Sequence, residues 1–288
     1  MKKLYATLLF ALALGLLAAG CGSGGGDTGG GETTSATTAE ACKPGELETV
    51  SDGTLTVATD KPAYPPYFED DDPSNGEGFE SAVAYAIAEQ LGYPAAKVKW
   101  TVEPFNSSYA PGPKKFDFDV NQISITPARE KAVDFSAPYY TANQAVVALK
   151  DSEAAKATTL EELQDAKLGV QIGTTSLEAA EEVIEPSSRP EVFNNSTDVT
   201  TALKNGQIDA IVVDLPTALY LTAVEIPEAT VVGQFSAPGG DQWGALLAKD
   251  SPLTECVSQA VEELESSGEL EALTTKWMSQ AAGAPVLE

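Results

Sequence analysis

The 288-residue sequence contains no histidine, and this absence excludes several kinds of site. Ser-His-Asp and Cys-His catalytic groups both depend on imidazole as the general base, and histidine-based zinc sites depend on it as a ligand. The chain has only three cysteines, and their spacing matches no zinc motif. We therefore expect no metal, no cofactor and no histidine-dependent catalysis.

Positive charge is also scarce. The chain has 17 Lys and Arg residues against 43 Asp and Glu residues, a formal net charge of -26 at pH 7. Such a surface repels nucleic acid and anionic lipid, and it favours solubility outside the cell. We expect no nucleic-acid partner.

A long apolar run is present at the N-terminus. Lys2 and Lys3 precede an apolar stretch over residues 4–19, which makes residues 1–20 typical of an export signal. The sequence Leu-Ala-Ala-Gly before Cys21 looks like a lipobox, which predicts that this cysteine is lipidated and anchors the exported protein on the extracytoplasmic side of the membrane. A single membrane span is the alternative.

The segment after the apolar run is dominated by small polar residues. Glycine, serine and threonine supply 14 of the 19 residues over 22–40, so this segment cannot bury a core and is predicted to be flexible. We interpret residues 21–45 as a tether, and the rest is long enough for two lobes. Because Cys21 is assigned to lipid, Cys42 and Cys256 are expected to form a disulfide in the exported protein.

Strand and helix patterns alternate along the remaining chain. Residues 54–59 alternate like a strand, and residues 79–91 have apolar positions at helical spacing that stop at Gly92. This rhythm is typical of an α/β protein with parallel sheets. Six further segments read as strands: 98–102, 119–125, 145–149, 167–172, 208–213 and 229–232.

The most specific motif lies over residues 124–140. Thr126 is predicted to cap a helix whose first residue is Pro127. Arg129 then falls in the first turn, where the helix dipole disfavours a cation by about 0.3 to 1 kcal/mol. We therefore expect an anionic group to compensate Arg129.

This segment reads S-I-T-P-A-R-E-K-A-V-D-F-S-A-P-Y-Y. It resembles the family 3 extracellular solute-binding proteins, the amino-acid receptors of ABC importers, whose pattern is Ser/Thr-Ile-Thr-x-x-Arg-x-x-x-Val-Asp-Phe-Ser-x-Pro-Tyr. The resemblance extends over residues 50–280. It implies an α/β periplasmic-binding-protein type II fold, in which two lobes with parallel-rich sheets are joined by two crossover strands. Lobe 1 would comprise residues 46–142 and 237–288, and lobe 2 residues 143–236.

The resemblance also implies how the carboxylate of a bound amino acid is held. Arg129 occupies the position of the arginine that grips this carboxylate, and its planar fork suits two parallel hydrogen bonds. Thr174 and Thr175 belong to a Gly-Thr-Thr turn that contacts the same group from the other lobe. Simple capping of a helix is the alternative for these threonines.

The ammonium end is implied by a second motif. Residues 206–214 resemble Gly-x-x-Asp-Ala-x-x-x-Asp, whose last aspartate pairs with the ligand ammonium. Asp214 takes this position, and Ser124 with the backbone carbonyl of Gln122 would complete the site from lobe 1. The alternative for Asp214 is an N-cap of the helix after Pro216.

The side-chain pocket is expected to include Asp60, Tyr64 and Ser108. Residues 60–68 resemble the family's first loop, Asp-x-x-Tyr-x-Pro-Phe, which implies that Tyr64 is an aromatic wall. Ordinary packing is the alternative for this tyrosine. Gln122 replaces a common small residue and Ser108 replaces an apolar one, so we expect a polar ligand side chain.

These observations predict a monomeric, lipid-anchored, extracytoplasmic binding protein that is not an enzyme. It would capture an amino acid and deliver it to an ABC permease in the cytoplasmic membrane. One alternative is a dehydratase-like enzyme of the same fold, which without histidine would need a carboxylic acid kept protonated by burial. A ligand-sensing domain is another.

Overall fold

A computed structural model describes residue 42 and residues 45–237, 239–278 and 283–288. The predicted signal peptide, Cys21 and most of the tether lie outside these residues. The described chain forms two five-stranded sheets, each packed against its own helices. Within these residues, no helix combines the length and the apolar character needed to cross a bilayer.

In the first sheet, four strands run in one direction and one strand runs in the opposite direction. Its strands are β1 (Leu55–Thr59), β2 (Val98–Val102), β3 (Phe118–Asp119), β4 (Val133–Ala142) and β10 (Asp241–Ala248). They lie in the order β2-β1-β3-β10-β4. β1 pairs in parallel with β2 and β3, whereas β10 runs antiparallel to β3 and β4.

The second sheet repeats this arrangement. Its strands are β5 (Gln144–Leu149), β6 (Leu168–Gln171), β7 (Glu191–Phe193), β8 (Ala210–Asp214) and β9 (Ala229–Phe235). They lie in the order β7-β6-β8-β5-β9. β6 pairs in parallel with β7 and β8, and β5 runs antiparallel to β8 and β9.

The fold is therefore the predicted α/β fold with two sheets, and each sheet is mixed, with one strand running against the other four. The parallel pairings join strands that are separated along the chain by helical connections, as the alternating pattern predicted. The antiparallel pairings all involve strands next to the crossings between the sheets. β4 ends at Ala142 and β5 begins at Gln144, whereas β9 ends at Phe235 and β10 begins at Asp241.

Helices cover both sheets. They are α1 (Phe79–Gln90), α2 (Phe105–Ser108), α3 (Thr175–Ala179), α4 (Ser196–Lys204), α5 (Leu215–Tyr220), α6 (Thr254–Ser266) and α7 (Glu269–Met278). The helical spacing predicted for α1 places Phe79, Val83 and Ile87 in the core of the first sheet, where each is fully buried. α6 and α7 pack in the same core, and we call this unit lobe 1. Lobe 2 is the second sheet with α3, α4 and α5.

The last residues differ from the predicted lobe assignment. Residues 237–288 were expected in lobe 1, but Val286 pairs with Gln234 of β9, and Leu287 is buried in a lobe 2 core. The reason is the missing side chain at Gly233, where a Cβ would lie 2.6 Å from Leu287 Cγ. Residues 283–288 therefore pack against lobe 2.

A disulfide fastens the N-terminal segment to lobe 1. It joins Cys42 to Cys256 of α6, with Cα atoms 5.4 Å apart. Downstream of Cys42, the amides of Val50 and Thr56 donate to the two carboxylate oxygens of Asp117 at 2.7 and 2.6 Å. The segment that enters β1 is thus held at two points.

Candidate functional site

A cavity of about 560 Å³ lies between the two lobes. This is within the range of roughly 300 to 1,000 Å³ that is common for small-molecule sites. Both lobes contribute polar side chains to its wall. Among the residues predicted from the sequence, the lining includes Asp60, Tyr64, Gln122, Thr174, Thr175 and Asp214.

Arg129 lies in a single 3-10 turn (Arg129–Lys131), not in the predicted α-helix. Thr126 does cap this turn, because its Oγ1 accepts a hydrogen bond from the Arg129 amide at 3.2 Å. The Arg129 side chain is 8% exposed, and burial lowers its pKa from the ordinary value. An arginine of this burial requires several partners.

The partners of Arg129 are carbonyl groups and aromatic rings. Its Nη1 donates to the carbonyl of Ser124 at 2.7 Å, and its Nη2 donates to the carbonyl of Gly173 in lobe 2 at 2.9 Å. The guanidinium also lies over the rings of Tyr109 and Phe105, at 4.9 and 5.5 Å from their centroids. None of the ion pairs formed among the described residues involves Arg129. The anionic partner expected for Arg129 is therefore not a side chain of the described chain.

Gly173 makes this contact between the lobes possible. Its φ of +73° is in the left-handed region that favours glycine. A Cβ at this position would lie 2.2 Å from Tyr109 Oη. Any side chain here would push Tyr109 away from Arg129.

The two threonines after Gly173 do not cap α3 with their side chains. Thr174 precedes the helix, and its Oγ1 donates to the carbonyl of Gln171 at 2.8 Å. Thr175 Oγ1 lies 3.2 Å from Ser124 Oγ of lobe 1 and donates to Asp241 Oδ2 at 3.1 Å. Thr175 thus reaches across the cleft, and the capping alternative is not observed.

Asp214 ends β8 and precedes α5 without capping it. Its Oδ1 accepts a hydrogen bond from Gln144 Nε2 at 2.6 Å, and the same nitrogen donates to Asp241 Oδ2 at 2.5 Å. Burial raises the pKa of Asp214 well above its ordinary value, and the charge of Asp241 raises it further. Gln144 and Asp241 were not predicted from the sequence. The one sequence feature that could have indicated them is their position directly after the two crossings between the lobes.

Gln122 and Ser124 lie on the lobe 1 side. Gln122 has a φ of 49°, which is unusual for a residue with a side chain. Its amide donates to Glu80 Oε1 at 2.7 Å, and its side-chain Nε2 donates to the other Glu80 oxygen. Glu80 therefore fixes both the backbone and the side chain of Gln122, and it was not predicted from the sequence.

Glu80 is fully buried and also accepts a hydrogen bond from Tyr139 Oη at 2.5 Å. Burial raises its pKa from 4.5 to about 7, although these hydrogen bonds act in the opposite direction. Between these two values the folded state binds more protons at Glu80 than the unfolded state does. The free energy of unfolding contributed by Glu80 therefore falls as pH rises from 4.5 to 7.

We expect Glu80→Gln to remove this contribution. Relative to the wild type, the variant should gain about 3 kcal/mol of stability between pH 4.5 and pH 7.5, because one pKa unit corresponds to about 1.4 kcal/mol. Denaturant unfolding at both pH values measures the difference. Glu89→Gln, on the exposed end of the same helix, should follow the wild type. Parallel pH profiles for the wild type and Glu80→Gln would contradict the assignment.

Asp60 and Tyr64 line the cavity, but Ser108 does not. Asp60 accepts hydrogen bonds from the amides of Lys61 at 2.7 Å and Phe105 at 3.1 Å. Ser108 is fully buried and donates to the Phe105 carbonyl at 2.8 Å. The single turn of α2 points its hydroxyl back at its own first residue, so Phe105 and Asn106 form this part of the wall instead.

Tyr64 lines the cavity and contacts lobe 2. Its Oη lies 3.0 Å from Thr197 Oγ1 of α4, and its ring packs against Tyr220, with centroids 5.7 Å apart. A neighbouring residue of the same loop, Tyr67, makes a second contact across the cleft, with its Oη 2.7 Å from Thr217 Oγ1. Tyr64 and Tyr67 therefore connect lobe 1 to lobe 2.

The outer part of the cavity has an excess of negative charge. Lys204 lies 3.9 Å from Glu225, and Lys61 lies 3.0 Å from Asp71. Asp60 and Asp198 also line the cavity, and neither is in an ion pair among the described residues. Most residues of this part of the cavity were not predicted from the sequence, because the residues around α4 carry no motif.

The comparisons with known proteins agree with this geometry. The family model of the bacterial extracellular solute-binding proteins, family 3, matches residues 55–280. The arginine-binding extracellular protein ArtP of Bacillus subtilis (strain 168) is 32% identical over 217 residues, which cover 74% of this chain and 82% of ArtP.

Two solved structures share the fold. An ancestral arginine-binding protein bound to glutamine has a TM-score of 0.65 and 32% identity, covering 79% of this chain and 98% of that one. The ancestral amino acid-binding protein AncCDT-1, a precursor of cyclohexadienyl dehydratase, has a TM-score of 0.61 and 33% identity, covering 78% and 95%. The predicted fold class and the family resemblance of residues 124–140 are both confirmed. The chain belongs to the bacterial extracellular solute-binding proteins of family 3.

Proposed function

We propose that this protein captures a free amino acid between its lobes and delivers it to an ABC permease in the membrane. The observation that carries the proposal is that Asp214 of lobe 2 lines the cleft, and that Arg129 of lobe 1 bonds to Gly173 of lobe 2, next to Thr174 and Thr175 in the wall of the cleft. A zwitterion needs a hydrogen-bonded cation at one end and a hydrogen-bonded anion at the other. Arg129, with Thr174 and Thr175, would hold the carboxylate, and Asp214, with Ser124 and Gln122, would hold the ammonium.

The outer cavity supports a polar, cationic ligand side chain. Asp60 and Asp198 offer carboxylates there that no lysine of the described chain neutralises. Tyr64 and Tyr220 add aromatic faces, which attract cations through their ring quadrupoles. The names of ArtP and of the ancestral arginine-binding protein agree with such a ligand.

Closure of the cleft supplies the signal in this mechanism. The contacts between Tyr64 and Thr197, Tyr67 and Thr217, and Arg129 and Gly173 exist only when the lobes are together. A ligand that bridges Arg129 and Asp214 adds its binding free energy to the closed state alone. The permease would then recognise the closed arrangement of the two lobes. The lipid on Cys21 would keep the protein, as a monomer, near this permease.

An enzyme of the same fold is the second candidate, because AncCDT-1 is described as a precursor of a dehydratase. A general acid in the cleft would need a carboxyl group that stays protonated. Asp214 has a raised pKa and lines the cavity. However, the curated relatives are named as binding proteins. We therefore assign Asp214 to ligand binding rather than to catalysis.

Titration calorimetry against each standard L-amino acid tests the proposal. We expect the tightest binding with a cationic amino acid, and chromatography should recover the ligand unchanged. Absence of heat at millimolar concentrations of every amino acid would refute the binding function. Conversion of a prephenate-like acid would favour the enzyme.

Asp214→Asn separates binding from capping. We expect it to weaken amino-acid binding by about 10- to 100-fold, since a hydrogen bond to a charged group is worth roughly 1.5 to 3 kcal/mol. The melting temperature without ligand should not fall, because no backbone group of α5 depends on this side chain and burial already disfavours its charge. Calorimetry and thermal melting with and without ligand measure both effects.

Asp151→Asn, at an exposed position just after β5 in lobe 2, is the matched control and should leave affinity unchanged. An Asp214→Asn protein that melts much lower when empty, yet keeps the full ligand-induced rise, would make Asp214 a structural residue.

A further inference from the structure

The crossings between the lobes bring a second carboxyl group next to Asp214. Asp241 begins β10 directly after the second crossing, and Gln144 begins β5 directly after the first. Asp241 is 1% exposed and Gln144 is fully buried. One nitrogen, Gln144 Nε2, donates to both Asp214 and Asp241. The two carboxyl groups therefore share one donor, and Asp241 also accepts a hydrogen bond from Thr175 Oγ1. Asp214 and Thr175 both line the cavity, and Asp241 and Gln144 lie directly behind them.

This cluster has more acceptors than donors. Asp241 Oδ1 and Gln144 Oε1 are buried and find no hydrogen-bond partner among the described residues. Buried polar atoms of this kind are rare, because each leaves its desolvation cost uncompensated. An ammonium group carries three N–H donors and no acceptor. It would satisfy these two oxygens together with Asp214.

In the empty site, two negative charges in this buried cluster would repel each other strongly. Two buried carboxylates that face one another favour a state in which they hold one proton between them. Burial and the neighbouring charge of Asp241 both raise the pKa of Asp214. Arg129 is the cation that acts on this pair. Tyr67 and Tyr140 also face Asp214, and both stay neutral because burial raises their pKa values.

We propose that Asp241 is a second ligand-binding carboxylate, and that Asp214, beside it, releases a proton to water when the ammonium group of an amino acid enters. This inference rests on the proposed function and adds to it a proton exchange. The ammonium supplies the positive charge that the proton supplied before, so no other reactant is needed. Affinity should then rise with pH, by up to tenfold per pH unit where one proton is released.

Calorimetry in buffers of different ionisation enthalpy counts this proton. The probe is L-arginine, followed by each other standard L-amino acid except histidine. The measurements cover pH 5 to pH 7, where the α-ammonium and side-chain charges of L-arginine stay nearly constant. We expect the wild type to release a fraction of a proton that approaches one where the pair is protonated before binding. Asp241→Asn should release a clearly smaller fraction of a proton, and its affinity should depend less on pH over this range, because burial alone still raises the pKa of Asp214.

Two further variants make the result specific. Asp134→Asn changes a carboxyl that pairs with Lys249 at 2.8 Å on the outer part of the same sheet, and it should release as many protons as the wild type. Glu80 is another buried acid, and burial raises its pKa to about 7, so Glu80→Gln tests whether the proton comes from this group; the release should persist.

The outcomes separate the two proposals. Binding by the wild type without proton release overturns this inference and leaves the proposed function standing. Release by Asp241→Asn that equals the wild-type release, or release that disappears in Glu80→Gln instead, also overturns it. If no amino acid binds the wild type, the proposed function fails and this inference fails with it.

Discussion

Arg129→Lys is expected to weaken amino-acid binding by about 2 to 5 kcal/mol, or roughly 30- to 5,000-fold, although the positive charge is kept. The guanidinium uses two separate nitrogens to reach the carbonyls of Ser124 and Gly173 while its face lies against Tyr109. An ammonium group has one nitrogen on a flexible stem and cannot reproduce this geometry. Titration calorimetry with the ligand identified in the amino-acid screen measures the loss.

The chain provides a matched control, because its second arginine is at the surface. Arg189 is exposed and forms an ion pair with Glu181 at 3.1 Å. Exposed pairs of this kind contribute about 0 to 1 kcal/mol, so Arg189→Lys should leave affinity and stability unchanged. Binding by Arg129→Lys within a factor of two of the wild type would show that Arg129 does not hold the ligand carboxylate.

Removal of the disulfide should have the largest effect on stability. The bond closes a loop with a sequence separation of 214 residues. In the chain-entropy model, a loop of this length stabilises the fold by about 5 kcal/mol, and measured disulfides typically contribute about 2 to 4 kcal/mol. For a domain of this size, each kcal/mol corresponds to about 2 to 4 °C. We therefore expect Cys42→Ser/Cys256→Ser to melt roughly 10 °C below the oxidised wild type.

The wild type in a strong reductant is the control for this substitution. It should melt at the same temperature as the double serine variant, because both lack only the covalent link. Equal melting temperatures for the variant and the oxidised wild type would mean that the segment around Cys42 separates from α6 before the domain unfolds. In that case the bond contributes nothing to the global transition.

Apolar alternation and helical spacing predicted the strands and helices that depend mainly on neighbouring residues in the chain. β2 matches the predicted segment 98–102, and α1 matches the apolar spacing from Phe79. β10 was missed, because its sequence D-Q-W-G-A-L-L-A lacks alternation and contains a glycine. Its extended form is imposed by pairing with β3 and β4. Gly244 also admits Ile125, whose Cδ1 would lie 2.9 Å from a Cβ there.

The same distinction applies to the site. Arg129 and Asp214 belong to contiguous motifs, so the sequence indicated both of them. Asp241 and Gln144 come from separate strands, and only the two crossings bring them to Asp214. Ser108 was aligned with a position in the pocket, but the single turn of α2 points its hydroxyl inward. Side-chain direction in so short a helix depends on tertiary packing, which no spacing rule describes.

The packing of residues 283–288 on lobe 2 makes this protein suitable as an optical reporter. Cys42, near the start of the described chain, is fixed to lobe 1, whereas Leu287, near its end, is fixed to lobe 2. Fluorophores attached close to these two positions would therefore sit on different rigid bodies. Their energy transfer would follow the opening and closing of the cleft without any label inside it.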